Sequence, residues 1–402
     1  MPTYPTYKFT DIASLIRGVS YDKSVVSTSE REGYIPILRA NNIQKDLVLN
    51  DLVYVPSDFV KEEQMIRKGD IVLAMSSGSK DLVGKSAQAD KDINAAFGTF
   101  CGLIRAKENI DSKFLGLYFQ TQEYRNFVSY QSKGVNICNL KKKDIESLQI
   151  PLPPLPTQQA IVARIEALFA ELDKAAEHLR TAQQQLKTYR QAVLKAAFEG
   201  CDSYEKITNC FDVTGGLTKN SQREKFPIKM PYLRVANVYY NRLDLSEIKE
   251  IGVQESEIKD KLLKKDDLLF VEGNGSKEQI GRVAVWNGSI ENCLHQNHII
   301  KSRPLGTMLS KFALYYFISD FGREQILRVA SSTSGLYTLS TEKVRNLNVP
   351  ACPTSDQHRI VQEIESRLLQ AEAAEASIAE ALQKTEALRQ SILKKAFSGE
   401  LV

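Results

Sequence analysis

The strongest constraint on this chain is that it contains the same sequence pattern twice. Residues 151–200 return further along the chain as residues 350–399. Each copy has a proline-rich lead-in, a glutamine (Gln158 or Gln357), and a closing Arg-Gln…Leu-Lys…Ala-Phe…Gly. An internal repeat whose period is close to half of the 402 residues predicts two equivalent modules, each ending in one long helix. Two such modules suit a ligand that presents two sites along a line.

Weaker matches extend the repeat into the region before each helix. The matched segments are 35–43 with 230–238, 68–73 with 265–270, the small-residue loops 76–80 with 273–277, and 113–119 with 311–317. Short β-rich runs lie between turn signals there, and fewer helical patterns intervene. Each half is therefore expected to be a mixed α/β domain with a curved, mostly antiparallel sheet. The predicted bounds are 1–155 and 201–353 for the two domains, and 156–200 and 354–402 for the two helices.

The spacing of apolar residues in the repeated segments predicts a coiled coil. From Ile161 onwards these residues are alternately four and three positions apart. The second copy keeps this spacing, although Arg367 and Thr385 interrupt it. A helix of about 40 residues with one apolar seam is unstable alone, so the two helices are expected to pair antiparallel. The predicted helix-pair interface comprises Ile161, Ile165, Leu168, Leu172, Leu179, Leu186, Ile360, Ile364, Ile378, Leu388 and Ile392.

The expected fold class is therefore α/β, with two pseudo-symmetric mixed α/β domains separated by a long antiparallel two-helix coiled coil. In this interpretation the helix pair is a ruler that sets the distance between the domains. The alternative is that the helices serve oligomerisation and have no role toward a ligand.

The composition indicates the class of protein and its compartment. With 43% hydrophobic and 25% charged residues, the chain is typical of soluble globular proteins, and its net charge of +4 neither proves nor excludes a polyanionic partner. The N-terminal residues show no secretion signal, and no apolar run approaches the ~20 residues of a membrane helix. The six cysteines form no Cys-x-x-Cys and are expected to be reduced thiols. We therefore expect a cytoplasmic protein.

The repeated segments resemble those of a known family. Both predicted helices close in Arg-Gln-Ala/Ser-Val/Ile-Leu-Lys…Ala-Phe. The domains before them contain Leu-Arg-Ala/Val…Asn-Ile/Val, Gly-Asp-Ile-Val or Asp-Asp-Leu-Leu, and Ser-Gly-Ser-Lys or Asn-Gly-Ser-Lys. This arrangement is similar to that of the specificity subunits of type I restriction-modification systems. The resemblance spans nearly the whole chain, and the helix is its most specific part. It implies two target-recognition domains, each of which binds one half of an asymmetric bipartite site in double-stranded DNA.

The same resemblance implies partners and places the chemistry in them. The helices are expected to seat two methyltransferase subunits, and motor-nuclease subunits join that core. S-adenosylmethionine, ATP and Mg are expected in the partner subunits, with no cofactor in this chain. The specificity subunit itself is expected to be non-catalytic and to direct adenine methylation or restriction by its partners.

A search of the residues for catalytic or metal-binding motifs agrees with that expectation. In segment 78–86, five residues separate the glycines where a nucleotide-binding loop needs about four. We find neither a methyltransferase cofactor loop nor an Asn/Asp-Pro-Pro-aromatic motif. Cys293, His295 and His298 lie close in sequence but lack a clear fourth ligand, so they are expected to be buried or rim residues and not a metal site.

Residues that can read bases or contact phosphates occur at matched positions in the two halves. Arginine suits guanine and asparagine suits adenine, whereas lysine, serine and main-chain amides suit phosphates. The candidate DNA-binding residues are Arg39, Asn41, Asn42, Ser77, Ser79, Lys80, Lys85, Arg234, Asn237, Asn274, Ser276, Lys277 and Arg282. Two alternatives stay open: each Arg pairs with a carboxylate while the Asn closes a turn, or the small-residue loops are ordinary solvent-exposed turns.

Discrimination between bases is expected where the halves differ, such as residues 88–96 and 291–298. The lysine runs 141–143 and 259–265 fit a phosphate-facing edge, although such runs are more often simply solvated. The expected function is thus DNA sequence recognition, with two half-sites about one helical turn apart. The alternative function is a coiled-coil scaffold that assembles protein partners without DNA sequence selectivity.

Overall fold

The computed structural model describes residues 4–78, 82–131, 138–274, 279–330 and 337–402. The chain divides into two compact units: unit 1 comprises residues 1–179 and 380–402, and unit 2 comprises residues 180–379. Each unit therefore contains one globular domain together with segments of both long helices. The sequence-based bounds had assigned each helix to a region of its own.

Domain 1 consists of short strands and helices followed by the first long helix. Its strands are β1 (Thr6–Lys8), β2 (Ala13–Arg17), β3 (Tyr34–Leu38), β4 (Val53–Pro56), β5 (Ile71–Ala74), β6 (Ser76–Ser77), β7 (Ser86–Gln88), β8 (Ala96–Phe97), β9 (Cys101–Ala106), β10 (Cys138–Asn139) and β11 (Gln149–Pro151). Its helices are α1 (Phe9–Ile12), α2 (Ser112–Tyr118), α3 (Gln122–Gln131) and α4 (Lys142–Glu146), and α5 (Leu155–Phe198) follows.

Domain 2 repeats this order before the second long helix. Its strands are β12 (Tyr204–Lys206), β13 (Phe211–Gly215), β14 (Ile228–Leu233), β15 (Val238–Tyr239), β16 (Arg242–Leu243), β17 (Lys249–Val253), β18 (Leu268–Val271), β19 (Gly273–Asn274), β20 (Val283–Val285), β21 (Leu294–His295), β22 (Ile299–Pro304), β23 (Tyr337–Thr338) and β24 (Asn348–Pro350). Its helices are α6 (Ile207–Cys210), α7 (Glu255–Lys261), α8 (Ser310–Ile318), α9 (Asp320–Val329) and α10 (Thr341–Arg345), and α11 (Thr354–Ser398) follows.

The two domains share one sheet topology. Domain 1 has a four-stranded sheet of order β2-β9-β5-β7 and a three-stranded sheet of order β4-β3-β8, and domain 2 has β13-β22-β18-β20 and β17-β14-β21. The strand pairs are antiparallel except β3 with β8 and β14 with β21, which are parallel. The prediction of mixed, mostly antiparallel α/β domains is confirmed, but the strands form two main sheets in each domain where one was expected.

The four-stranded sheet is the middle layer of each domain. In β5, Ile71 and Leu73 join a core with the helices, whereas Val72 and Ala74 join a second core with the three-stranded sheet. Successive side chains of a strand point to opposite faces, so a strand between two layers is apolar throughout. The strand β18 follows the same rule, with Leu268 packed on the helix side and Leu269 on the other.

In unit 1, α5 and the end of α11 pair antiparallel. Ile165 of α5 and Leu393 of α11 lie in the same hydrophobic core. Further along α5, Asp173 forms an ion pair with Arg389, whose guanidinium carbon lies 4.4 Å from the centre of the Phe169 ring. The contacts move toward lower numbers on α11 as they move toward higher numbers on α5. The antiparallel pairing predicted from the apolar seam is therefore confirmed in this unit.

Unit 2 shows the same pairing between the other segments of the two helices. Leu194 of α5 and Ile364 of α11 share a core, and Arg190 Nη2 lies 2.8 Å from Glu375 Oε2. The direction of the contacts is again antiparallel.

The predicted helix-pair residues are largely covered. Ile161, Ile165 and Ile364 are fully buried. Partial burial is found for Leu168, Leu172, Leu179, Leu186, Ile360, Ile378 and Ile392. The prediction for Leu388 is wrong, because 52% of this residue is exposed. The helix ends also pack on their domains, which buries residues outside the seam: Val162, Leu194, Phe198, Val361, Leu393, Ala396 and Phe397.

Among the described residues, no helix combines the length and the apolar character needed to cross a membrane.

Candidate nucleic-acid interface

Matched contacts hold each long helix on the domain that precedes it. The buried Gln158 accepts a hydrogen bond from Asp111 N at 2.9 Å and donates one to Pro153 O at 2.8 Å. In domain 2, Gln357 accepts from Leu309 N at 2.8 Å and donates to Cys352 O at 3.0 Å. The repeated glutamine therefore joins helix to domain and satisfies buried backbone groups.

A second matched contact lies inside each domain. Arg105 donates from Nε and Nη2 to the two carboxylate oxygens of Asp70, at 2.8 and 2.6 Å. Arg303 donates in the same way to Asp267, at 2.8 and 2.7 Å. Hydrogen bonding to the carboxylate is the main cause that raises the pKa of each arginine. The aspartates of the Gly-Asp and Asp-Asp motifs are thus structural.

Several strand ends of domain 1 meet at one edge, which we call edge 1: β3, β5 and β8 end there, and β7 and β9 begin there. The parallel pair β3–β8 brings Arg39, which follows β3, next to the connection 98–100, because Gly98 N donates to Leu38 O at 2.9 Å. The end of β5 reaches the same connection, since Met75 N donates to Phe100 O at 2.8 Å. The end of β2 also arrives there, with Val19 N bonded to Phe97 O at 2.7 Å.

Domain 2 has the same arrangement at edge 2, where β14, β18 and β21 end and β20 and β22 begin. Gln296 N donates to Leu233 O at 2.9 Å, and Glu272 N donates to His298 O at 2.9 Å. Leu217 N donates to His295 O at 2.8 Å. Each of these three backbone hydrogen bonds at edge 2 has a counterpart at edge 1.

Edge 1 brings together the predicted residues of domain 1 that are described. Arg39 and Asn41 follow β3, Ser77 follows β5, and Lys85 precedes β7, where its carbonyl accepts from Ala74 N at 2.9 Å. In the sequence these residues form two groups, 39–41 and 77–85, which are more than thirty positions apart. The parallel pair β3–β8 brings the groups to one edge, because the connection after β8 bonds to the ends of both β3 and β5.

The contacts of Arg39 and Asn42 match the structural alternative. Arg39 Nη2 donates to Asp51 Oδ2 at 2.9 Å, and Asn41 Nδ2 donates to the same oxygen at 3.3 Å. Asn42 is fully buried; its Oδ1 accepts from Arg39 N, and its Nδ2 donates to Val48 O and Asn50 O. The Asn42 amide therefore has no group left for a base, whereas Arg39 and Asn41 remain partly or fully exposed.

Domain 2 repeats this turn with Arg234 and Asn237. The buried Asn237 accepts from Arg234 N at 2.8 Å and donates to Asp244 O and Glu247 O. Arg234 Nη2 lies 3.3 Å from a carboxylate oxygen of Glu247, and this hydrogen bond is the main cause that lowers the pKa of Glu247. Asn237 thus closes a turn, as Asn42 does.

The remaining predicted residues differ in how much the structure says of them. Arg282 precedes β20 at edge 2 and is buried; its Nη2 donates to Val235 O at 3.1 Å, and its guanidinium lies 5.1 Å from the centre of the Tyr239 ring. Arg282 thus joins the start of β20 to the backbone of Val235, and its positive charge lies buried at edge 2. Of Asn274 only the backbone is described, in β19, and Ser79, Lys80, Ser276 and Lys277 lie outside the described residues.

The segments in which discrimination was expected reach the edges only in part. Segment 291–298 ends at edge 2 with the exposed His298, whereas Gln88 binds Gly69 O and Ser112 O inside domain 1. The lysine run 141–143 begins beside edge 1, because Leu140 N donates to Met75 O at 2.8 Å. In the run 259–265, Lys261 donates to Gly215 O at 2.6 Å and Lys264 precedes the Asp267 turn, so this run also has structural contacts.

Phe100 at edge 1 and Glu272 at edge 2 are not among the residues predicted from the sequence. Phe100 is 67% exposed, and Glu272 Oε2 lies 2.8 Å from His298 Nδ1. The signal was present in the repeat, because Phe100 and His298 hold the same register before β9 and β22.

The Cys293, His295 and His298 group does not form one site. Cys293 and His295 are fully buried, whereas His298 is exposed and bonded to Glu272. Burial is the main cause that lowers the pKa of His295 to about 3 and raises that of Cys293 to about 12. No group of three or more His, Cys, Asp or Glu that could hold a metal occurs among the described residues.

Comparison with known proteins finds the same duplication. The family model "Type I restriction modification DNA specificity domain" matches residues 1–179 and again residues 204–382. The chain is 34% identical to the EcoKI specificity subunit of Escherichia coli (strain K12), over 97% of this chain and 87% of that protein. It is 33% identical to the StySPI specificity subunit of Salmonella potsdam, over 99% and 89%.

Two solved structures share the fold at lower identity. A chain from a study of complex assembly and conformational transition of the type I R-M system aligns with a TM-score of 0.75 at 19% identity, covering 100% of this chain and 99% of that one. The HsdS subunit from Thermoanaerobacter tengcongensis aligns with a TM-score of 0.57 at 19% identity, covering 100% and 98%. With the family model matched twice and relatives above 30% identity along nearly the full chain, this protein belongs to the family of type I restriction-modification DNA specificity subunits.

Proposed function

We propose that this chain is the DNA-recognition subunit of a type I restriction-modification enzyme. Each domain binds one half of an asymmetric bipartite target through its own edge. The chain does no chemistry itself: S-adenosylmethionine, ATP and Mg are bound by partner subunits, which methylate adenine or cleave.

One observation carries this proposal: the two domains keep their framework and change their edges. Gln158 and Gln357 make the same hydrogen bonds between a long helix and the domain before it. At the edges, in contrast, Thr99 and Phe100 of domain 1 correspond to Asn297 and His298 of domain 2. Two copies that read the same ligand in the same way would have no reason to differ there, whereas two copies that read different half-sites must.

The chemistry of the edges suits DNA. They bear exposed or partly exposed groups of the kinds that contact bases and phosphates, including Arg39, Asn41 and Lys85 at edge 1 and Arg234 at edge 2. The buried Asn42 and Asn237 hold the backbone of the two arginines, because they accept hydrogen bonds from Arg39 N and Arg234 N. Arginine and asparagine are the side chains that most often read guanine and adenine in the major groove.

The partners follow from the family and from the helices. The long helices carry exposed apolar residues, Tyr189 at 41% and Leu369 at 67% in unit 2 and Leu388 at 52% in unit 1. Such residues on an otherwise charged helix surface suit protein contacts, and we assign them to two methyltransferase subunits, which the motor-nuclease subunits then join.

The test compares DNA recognition with scaffolding. The chain, assembled with the methyltransferase subunits of its own system, is used to map methylated adenines in cells. A duplex carrying the mapped site and a duplex with both half-sites scrambled are then bound at several salt concentrations. We expect the intact site to be favoured by at least about a thousandfold. A ratio near one at every salt concentration would instead support the scaffold function, since non-specific affinity depends on phosphates and salt alone.

A further inference from the structure

Two pairs of side chains occupy matched positions at the edges and differ in chemistry. Met75 N donates to Phe100 O at edge 1, and Glu272 N donates to His298 O at edge 2, at 2.8 and 2.9 Å. Because the backbone bonds are the same, the side chains of each pair leave the sheet from equivalent points. Whatever one pair contacts in its half-site, the other pair is placed to contact in the other half-site.

The pair at edge 1 is apolar. Phe100 is 67% exposed beside the half-buried Met75. It lies in the connection whose other members are tightly held: Gly98 is buried against Tyr21, and Thr99 Oγ1 donates to Val19 O at 3.0 Å. An exposed aromatic ring on a firmly held turn is suited to contact an apolar group. The apolar group that base pairs present in the major groove is the C5 methyl of thymine.

The pair at edge 2 is polar and pre-positioned. Glu272 Oε2 lies 2.8 Å from His298 Nδ1, and the two side chains are 27% and 53% exposed. The imidazole thus fixes one carboxylate oxygen, and no other described residue bonds the second oxygen, which is left as an acceptor. A carboxylate accepts from an amino group and is repelled by the carbonyl and ring-nitrogen acceptors of guanine and thymine. Cytosine presents its N4 amino group without a neighbouring acceptor, so it is the base that fits.

Resting on the proposed function, we propose that these matched positions select bases in the two half-sites. Phe100, whose carbonyl is held by Met75 N, contacts the C5 methyl of a thymine in the half-site of domain 1. Glu272, oriented by His298, accepts a hydrogen bond from the N4 amino group of a cytosine in the half-site of domain 2.

The thymine contact is tested by removing the methyl group from the DNA. Duplexes in which deoxyuridine replaces each thymidine of the mapped site, one at a time, are bound by the methyltransferase assembly. One replacement in the half-site of domain 1 should weaken binding about fourfold, the value of one buried methyl group. With Phe100→Ala the same replacement should have no effect. The control is Phe59→Ala: Phe59 is 42% exposed and follows β4, which runs antiparallel to β3 and so ends at the opposite edge.

The cytosine contact is tested by exchanging the pair. In the variant Glu272→Met with His298→Phe, domain 2 carries the chemistry of edge 1, and methylation mapping should show preference for cytosine at one position reduced by at least about tenfold. The half-site of domain 1 should stay unchanged. The matched control is Glu255→Met, because Glu255 is exposed and follows β17, which is antiparallel to β14. Thermal unfolding of each free chain verifies that the variants fold.

Three outcomes decide the matter. The fourfold and tenfold effects, absent from both controls, support the inference. Deoxyuridine sensitivity that persists in Phe100→Ala, or unchanged cytosine preference in the exchanged pair, overturns it while the proposed function stands, since the wild type still selects its site. A wild-type assembly without any preferred site overturns both.

Discussion

At the residue scale, two buried polar side chains distinguish domain 2 from domain 1. His295 pairs with Leu233 in parallel register, where domain 1 pairs Phe97 with Leu38. Lys301 lies opposite Leu269, where Leu103 lies opposite Val72. Domain 2 has thus placed an imidazole and an ammonium in positions that domain 1 fills with apolar groups, and each should cost domain 2 stability.

Replacing His295 with phenylalanine should stabilise domain 2. Both ring nitrogens of His295 are buried, and neither has a hydrogen-bond partner of normal geometry within the part of the chain that the structure describes; an unsatisfied buried polar group costs roughly 1 to 3 kcal/mol. We expect His295→Phe to raise the free energy of unfolding by about 1 kcal/mol at neutral pH, measured by denaturant titration. The folded pKa of about 3 lies below that of the unfolded chain, so only the unfolded state gains a proton between about pH 6.5 and 3. The advantage of the variant should therefore grow as the pH falls through this window.

The control for that substitution is His178→Phe on the exposed face of α5, which should change stability by less than about 0.5 kcal/mol. An unstable His295→Phe variant would mean that the pocket cannot take the larger ring despite the example of Phe97.

Replacing Lys301 with methionine should give a pH dependence of the same sign, but in an alkaline window. Burial is the main cause that lowers the pKa of Lys301 to about 8. Between about pH 8 and 10.5 the unfolded chain therefore binds more protons, so wild-type stability rises with pH across this window. Below pH 8 both states are protonated, and Lys301→Met should be more stable by roughly 2 kcal/mol, after allowing for the lost bond from Nζ to Asp260 O. The melting temperatures of the wild type and of Lys301→Met should converge as the pH rises from 8 to 10. A difference that stayed constant over this range would contradict this account.

At the scale of elements, the seam of the long helices was only partly predictable. A strict alternation of four and three positions placed Leu388 inside, yet the residues that the end of α11 buries are Leu393, Ala396 and Phe397. The reason is that this end packs on the core of domain 1 as well as on α5, and a globular core takes a wider stripe with the 3.6-residue period of a straight helix. A heptad pattern contains no information about that second contact.

Two alanine substitutions separate the predicted seam from the observed one. Leu393→Ala should destabilise unit 1 by about 2 to 4 kcal/mol, because it leaves a cavity in the core. Leu388→Ala should change the stability of the free chain by less than about 0.5 kcal/mol, because the residue is 52% exposed. Denaturant unfolding of the two variants measures both values, and equal losses would restore the seam first inferred from the sequence.

At the scale of the whole molecule, the duplication was readable from the sequence and the edges were not. The repeat predicted two domains and two helices because repeated local patterns lie along the chain itself. Edge 1 depends on the parallel pairing of β3 with β8, whose residues Leu38 and Phe97 are far apart in sequence. The burial of Asn42 has a local cause, because its amide closes a turn by bonding Val48 O and Asn50 O, and the residue type alone does not distinguish a turn-closing asparagine from an exposed one.

The central claim is that each domain reads its own half of the target. Methylation mapping in cells tests it most directly, with the wild-type chain compared with a chimera in which residues 1–150 come from another specificity subunit. Our account predicts that one half-site changes to that of the donor while the other half-site stays the same. A chimera that changed both half-sites, or neither, while still methylating DNA would contradict it.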